Sequence, residues 1–190
     1  MKKFSLAVLA MSVIAASGSA LAVEAGKGQI SFTGVINNDA CSVEGSTGKE
    51  KAIAVDLGNI SIKDLGTDTA PNAGRLSAND ISLNINCNAG TKVSMTFDAS
   101  KGSGVVDGKK VLKLTQGSNT AKNVGIAILD INGNVIDLTS GAATPAKIES
   151  TLNGGDATLT FAAAYVTTAD PKTAVPGDGN ATLPFTLHYE

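Results

Sequence analysis

Apolar and polar residues alternate with a period of two over much of the chain. Ile30, Phe32, Gly34 and Ile36 alternate with Ser31, Thr33 and Val35. Ile53, Val55 and Leu57 form a second series, Ile81, Leu83, Ile85 and Cys87 a third, and Val93, Met95 and Phe97 a fourth. Two more follow: Leu159, Phe161, Ala163 and Tyr165, then Ala181, Leu183, Phe185, Leu187 and Tyr189. Successive side chains of a strand point to opposite faces, so each series predicts a half-buried strand. Between 124 and 138 two apolar runs flank Asn132-Gly133, a pair that tolerates positive φ and predicts a hairpin turn. The stretches 98–110, 115–123 and 167–180 are rich in Gly, Asp, Asn, Ser and Pro, which reads as loops. Helical spacing is scarce; only 63–78 has room for a short turn. Short strands at this spacing, with no internal repeat, predict an all-β, antiparallel sandwich of immunoglobulin type.

The beginning of the chain has a different logic. Met1-Lys2-Lys3 is a short basic start, 4–16 is an apolar run, and Ala20-Leu21-Ala22 fits the small-x-small cleavage rule. Residues 1–22 therefore read as a secretory signal peptide, with Val23 the first mature residue. The apolar run is too short to span a bilayer core as a helix. Export makes a disulfide the default for Cys41 and Cys87, the only two cysteines in the chain. Chain-entropy arguments put the stabilisation from closing such a loop at roughly 4 kcal/mol.

Charge and composition then remove whole classes of function. The full chain has 15 basic and 17 acidic residues, a formal net charge of −2, and the mature chain is more acidic still because Lys2 and Lys3 leave with the signal peptide. No basic field exists to collect phosphates, which argues against nucleic-acid binding. One His and two Cys leave no set for a metal site or for His-based catalysis. No G-x-S-x-G elbow or activating base accompanies the many Ser and Thr. The chain is expected to be non-enzymatic, with no cofactor and no metal. His188 falls out of phase with the apolar series and reads as solvated. Asp130-x-Asn132-x-Asn134 lacks the glycine position and the acidic residue of a calcium loop, so a turn is the better account. Asn59-Ile60-Ser61 and Asn180-Ala181-Thr182 match a short glycosylation pattern that carries little weight.

Two end segments do not fit a closed sandwich. Residues 23–38 have strand chemistry but no turn returning them to a neighbour, and the last alternating series leaves open which strand covers its edge. Four features resemble the structural pilins of the chaperone–usher pathway, the type 1 and P-pilus-like fimbrial subunits of Gram-negative bacteria. They are Ile30-Ser31-Phe32-Thr33-Gly34, seven residues ahead of Cys41; Leu83-x-Ile85-x-Cys87; the run from Val124 through Gly125, Ile126, Ala127, Ile128 and Leu129 to Asp130; and penultimate Tyr189 with Gly177 fourteenth from the end.

The resemblance implies an incomplete immunoglobulin-like sandwich that lacks its last strand and is completed by a donor strand from a neighbouring subunit. The implied organisation is signal peptide 1–22, donor extension 23–38 and pilin domain 39–190. The donor residues would be Ile30, Phe32, Gly34 and Ile36, with Gly34 over a shallow pocket. The acceptor edge, also the surface recognised by chaperone and usher, would comprise Gly177, Leu183, Phe185, Leu187 and Tyr189. The implied partners are identical or related pilins in a head-to-tail polymer, a periplasmic chaperone and an outer-membrane usher. A host receptor would be met only indirectly, through a tip adhesin. The product is a surface fimbrium supporting adhesion, with this chain as its major shaft pilin. On alternation alone, 30–36 is equally an ordinary first strand of its own sheet. The alternatives are a minor adaptor pilin and, from another class, a secreted carbohydrate-binding sandwich. The absence of Trp and the presence of only two Tyr count against the latter.

Overall fold

The computed structural model describes residues 41–43, 53–72, 79–88, 90–139 and 145–190. The expected signal peptide 1–22, the expected donor extension 23–38 and its residues Ile30, Phe32, Gly34 and Ile36 lie outside the described residues. Nine strands are present among the described residues: β1 Cys41–Val43, β2 Gly66–Thr67, β3 Asn79–Cys87, β4 Lys92–Phe97, β5 Leu112–Lys113, β6 Val124–Leu129, β7 Lys147–Thr151, β8 Asp156–Thr167 and β9 Phe185–Tyr189. One sheet runs β1-β3-β8-β6-β5, with β2 also on β8; the other runs β7-β4-β9. Every ladder is antiparallel except β2 on β8, which is parallel and departs from the all-antiparallel expectation.

The core forms between the inward faces of the two sheets. Leu83, Ile85 and Cys87 of β3, Leu159 and Phe161 of β8 and Ile126 and Ile128 of β6 meet Val93, Met95 and Phe97 of β4 and Ile148 of β7. Phe97 and Phe161 touch edge to face across the sandwich, ring centroids 5.6 Å apart. Burying each large side chain stabilises by roughly 1.5–3 kcal/mol. The second half of β8 departs from simple alternation: Phe161, Ala162, Ala163 and Ala164 are all buried. That stretch sits between β3 and β6, and its outer face is covered as well. Val166 packs with Val111 and Ala127, while Ala162 and Ala164 pack with Leu129 and Val135. Small side chains there let the overlying loops lie close to the sheet.

Turn chemistry accounts for most boundaries. Gly133 has φ +81° at the tip of the hairpin after β6. The Asp130 carboxylate accepts hydrogen bonds from the main-chain amides of Asn132 and Asn134, both at 2.8 Å. Those bonds, led by the one from the Asn134 side chain, hold the Asp130 carboxyl below the usual range. The return arm is short, with Val135 bridged to Leu129 and no continuous strand to 138. In the described part of the window 63–78 the helical content is one 3-10 turn, Ile62–Asp64, followed by the short strand β2. The expected strand at Ile53, Val55 and Leu57 does not form. The Gly58 amide donates to Asp56 Oδ1 at 2.8 Å, Gly58 takes φ +73°, and the chain turns before a ladder can start. Val55 is exposed as a result, whereas Leu57 is buried. The last strand begins at Phe185 rather than at Ala181, directly after Pro184, which has no N–H to give a ladder.

Cys41 and Cys87 face each other in the β1–β3 register and form a disulfide, S–S 2.04 Å. The bond fixes β1, only three residues long, to the edge of the larger sheet. Replacing both cysteines with serine is expected to lower the unfolding free energy by about 2–5 kcal/mol. Urea titration of the oxidised protein and the double variant measures it as a lower midpoint.

Candidate functional site: the edge of the last strand

The candidate site is built on β9, whose register against β4 pairs Phe185 with Phe97, Leu187 with Met95 and Tyr189 with Val93. Because Val93, Met95 and Phe97 point into the core, so do their three partners, and Thr186 and His188 point outward. The two sets of inward residues are not equally covered. Val93 and Met95 are 0% and 1% exposed, whereas Phe185 and Leu187 are half-buried and Tyr189 is 50% exposed. The inward side of β9 is therefore a partly uncovered apolar face flanked by the covered side chains of β4, a groove as far as the described residues show.

Main-chain hydrogen bonding singles out the same three residues. Glu190 and Lys92 exchange both hydrogen bonds, N–H to O, at 2.9 and 3.1 Å. In an antiparallel ladder bonded and non-bonded pairs alternate, so the amides and carbonyls of His188 and Thr186 also turn toward β4. Those of Phe185, Leu187 and Tyr189 turn the other way. No described strand lies along that side, since β9 pairs with β4 alone among the described residues. Buried or half-buried backbone groups without partners are costly, and such an edge is a template for another strand. Among the described residues, these three thus combine partly covered apolar side chains with main-chain donors and acceptors turned to a side where no described strand lies.

The lead-in to β9 is fastened to the rest of the molecule. Val175 and Lys122 exchange main-chain hydrogen bonds at 3.0 Å, and Asp178 donates to the Asn119 carbonyl at 2.8 Å. The Thr182 carbonyl accepts from Ser103 at 2.9 Å, and that of Pro184 from Asp98 at 2.9 Å. Gly177 lies within this strap, eight residues before β9. A Cβ there would sit 2.6 Å from the Ala121 amide nitrogen and closer still to the Asn119 carbonyl oxygen. Gly179 is confined in the same way by the Tyr165 ring, and the Tyr165 hydroxyl donates to the Gly179 carbonyl at 2.8 Å. Burial and the nearby Asp56 charge raise the Tyr165 hydroxyl above its ordinary pKa, so it stays a donor.

The sequence-derived site residues thus fall into two groups. Phe185, Leu187 and Tyr189 share the strand edge, with half-buried Leu183 just ahead of them; Gly177 packs against the 119–121 backbone and is not on that edge. His188 is exposed on the outward face, off the groove. The neighbouring strand residues Val93, Met95 and Phe97 were legible as a strand but not as part of a site. Their pairing with β9 joins segments about ninety residues apart and leaves no local signal.

The fimbrial protein family model matches residues 30–190. The chain belongs to the fimbrial protein family. Its relatives include long polar fimbria protein A of Salmonella typhimurium, 30% identical over all of this chain and 98% of that protein. The major MR/P fimbria protein of Proteus mirabilis is 32% identical over 96% of this chain and 95% of its own. Among solved structures, the CupB6 tip adhesin of Pseudomonas aeruginosa superposes on 70% of this chain and 34% of that one, with a TM-score of 0.51 at 20% identity, a likeness of fold. This fimbrial subunit is thus an immunoglobulin-like pilin of the chaperone–usher class, a structural component of a surface fimbrium.

The glycine in the strap generates a prediction. Gly177→Ala is expected to destabilise the subunit by about 1–3 kcal/mol through backbone displacement. Tyr165→Phe, which loses one hydrogen bond, should cost about 0.5–1.5 kcal/mol. Urea unfolding of the two variants side by side measures both.

Proposed function

We propose that this subunit polymerises by donor-strand exchange and serves as the major shaft pilin of its fimbria. In this reading residues 1–22 are removed on export and 39–190 form the pilin domain. Residues 23–38 of one subunit lie along β9 of the next, with Ile30, Phe32, Gly34 and Ile36 over the groove. The observation that carries the reading is the coincidence, in Phe185, Leu187 and Tyr189, of partly covered side chains and main-chain groups turned toward a side where no described strand lies.

Magnitudes support the assignment. Burying Ile30, Phe32 and Ile36 contributes roughly 1.5–3 kcal/mol each, an upper estimate, and each main-chain hydrogen bond adds about 0.5–1.5 kcal/mol. The sum is comparable with the whole stability of a small domain, about 5–15 kcal/mol. Donor and acceptor lie at opposite ends of one chain, so the contact is head-to-tail and extends into an open filament. A periplasmic chaperone would occupy the groove before assembly, an outer-membrane usher would host the exchange, and a tip adhesin would meet any host receptor. The shaft assignment rests on relatives of nearly equal length whose names describe major subunits.

Thermal unfolding of oxidised 39–190, with and without a synthetic 23–38 peptide, tests the proposal. A large and slowly reversed rise in Tm is expected with the peptide, and none when Phe32 and Ile36 are replaced by Asp. A truncated domain that is already stable and indifferent to the peptide would overturn it.

A further inference from the structure

The chain contains two Asn-Gly pairs, Asn132-Gly133 and Asn153-Gly154. Glycine offers no side chain to obstruct its own main-chain nitrogen, so this pair is the most prone to intramolecular deamidation. Both pairs occupy exposed hairpin turns. The turns differ in what holds the attacking nitrogen.

At the first, the Gly133 amide donates to the Asp130 carbonyl at 3.0 Å. The Asp130 carboxylate binds the amides of Asn132 and Asn134 and, at 3.0 Å, the Asn134 side chain. The Asp130 amide in turn donates to the Asn134 carbonyl at 2.9 Å. The nucleophilic nitrogen is engaged, the turn is closed from both sides, and an ionised carboxylate beside it repels hydroxide.

At the second, Asn153 and Asp156 exchange main-chain hydrogen bonds at 2.8 and 3.2 Å, which closes a loop of only Gly154 and Gly155. Both glycines have positive φ, +66° and +97°. The Gly154 amide donates no hydrogen bond among the described residues, and the position where its Cβ would be faces open space.

We propose that Asn153 is a site of spontaneous deamidation in the folded subunit, and that Asn132 is shielded from the same chemistry by the Asp130 turn. Hydroxide removes the Gly154 amide proton, and the nitrogen attacks Asn153 Cγ. The new C–N bond forms as the carboxamide C–N bond breaks, and the leaving nitrogen takes a proton from water and departs as ammonia. Water then adds to either carbonyl of the cyclic imide and reopens it to aspartate or isoaspartate. No oxidant or enzyme is needed. Isoaspartate adds one carbon to the main chain of the four-residue connection, 152–155, that joins β7 of one sheet to β8 of the other. The neighbouring Gly155 carbonyl accepts from the Cys87 amide at 2.8 Å, so the change falls beside the disulfide that joins β1 to β3.

The test incubates the mature, disulfide-bonded subunit in mildly alkaline buffer made with heavy-oxygen water. Asn132 and Asn153 fall in separate tryptic peptides, 123–147 and 148–172, and mass spectrometry follows label uptake in each. In the native subunit Asn153 is expected to convert about tenfold faster than Asn132, the scale set by a hydrogen bond or two that must break first. In urea with the disulfide reduced, the two rates should become nearly equal. Asp130→Ala should raise the native rate at Asn132 severalfold and leave Asn153 unchanged. Equal native rates, a faster Asn132, or a ratio that persists in urea would overturn the proposal.

Discussion

A β-strand cannot leave half of its main-chain groups unpaired beside a half-open core without strong pressure to acquire a neighbour. In β9 the amides and carbonyls of Phe185, Leu187 and Tyr189 turn away from β4, and their side chains are the least covered of the inward apolar residues of their sheet. Hydrogen bonding alone would favour any strand that reached this edge. The groove adds selectivity, because only a strand with apolar residues in the right phase also covers the inward face. Affinity from the backbone and specificity from alternate side chains is the general division of labour in strand addition.

The remaining architecture keeps that edge in place while it waits. Sheet pairing on both sides of β8, the Phe97–Phe161 contact and the Cys41–Cys87 bond build most of the core from other strands, with Phe185 and Leu187 of β9 packed against it. The strap 175–184 crosses from the loops over the larger sheet to the start of β9 and is bonded to Lys122, Asn119, Ser103 and Asp98 along the way. Gly177 and Gly179 allow that close passage, and Pro184 ends it. The spacing of Gly177 ahead of Tyr189 thus has a packing cause within the subunit, whatever surface a partner later recognises.

Elements whose signal was local could be read from the sequence. Alternation found β3, β4 and β8, and Asn132-Gly133 found the turn after β6, because side-chain period and positive φ are properties of a few adjacent residues. The series Ile53, Val55 and Leu57 misled because its alternation was real but the Asp56–Gly58 turn prevented pairing. Strand β7 was missed: Lys147, Glu149 and Thr151 are exposed and only Ile148 is apolar within it, while an exposed lysine–carboxylate network of Lys92, Lys147 and Glu149 covers its outer face. Strands β1, β2 and β5 are two or three residues long and exist through their neighbours alone. The family signature pointed to the C-terminal region, but which residues form the edge and which form the strap emerged only from the register.

Residue-resolved amide hydrogen exchange on oxidised 39–190 probes the edge most directly. The account predicts fast exchange at Leu187 and Tyr189 and slow exchange at Thr186 and His188, with the fast pair becoming slow once the 23–38 peptide is bound. Four equally protected amides in the free domain, or no change at Leu187 and Tyr189 on adding the peptide, would contradict it.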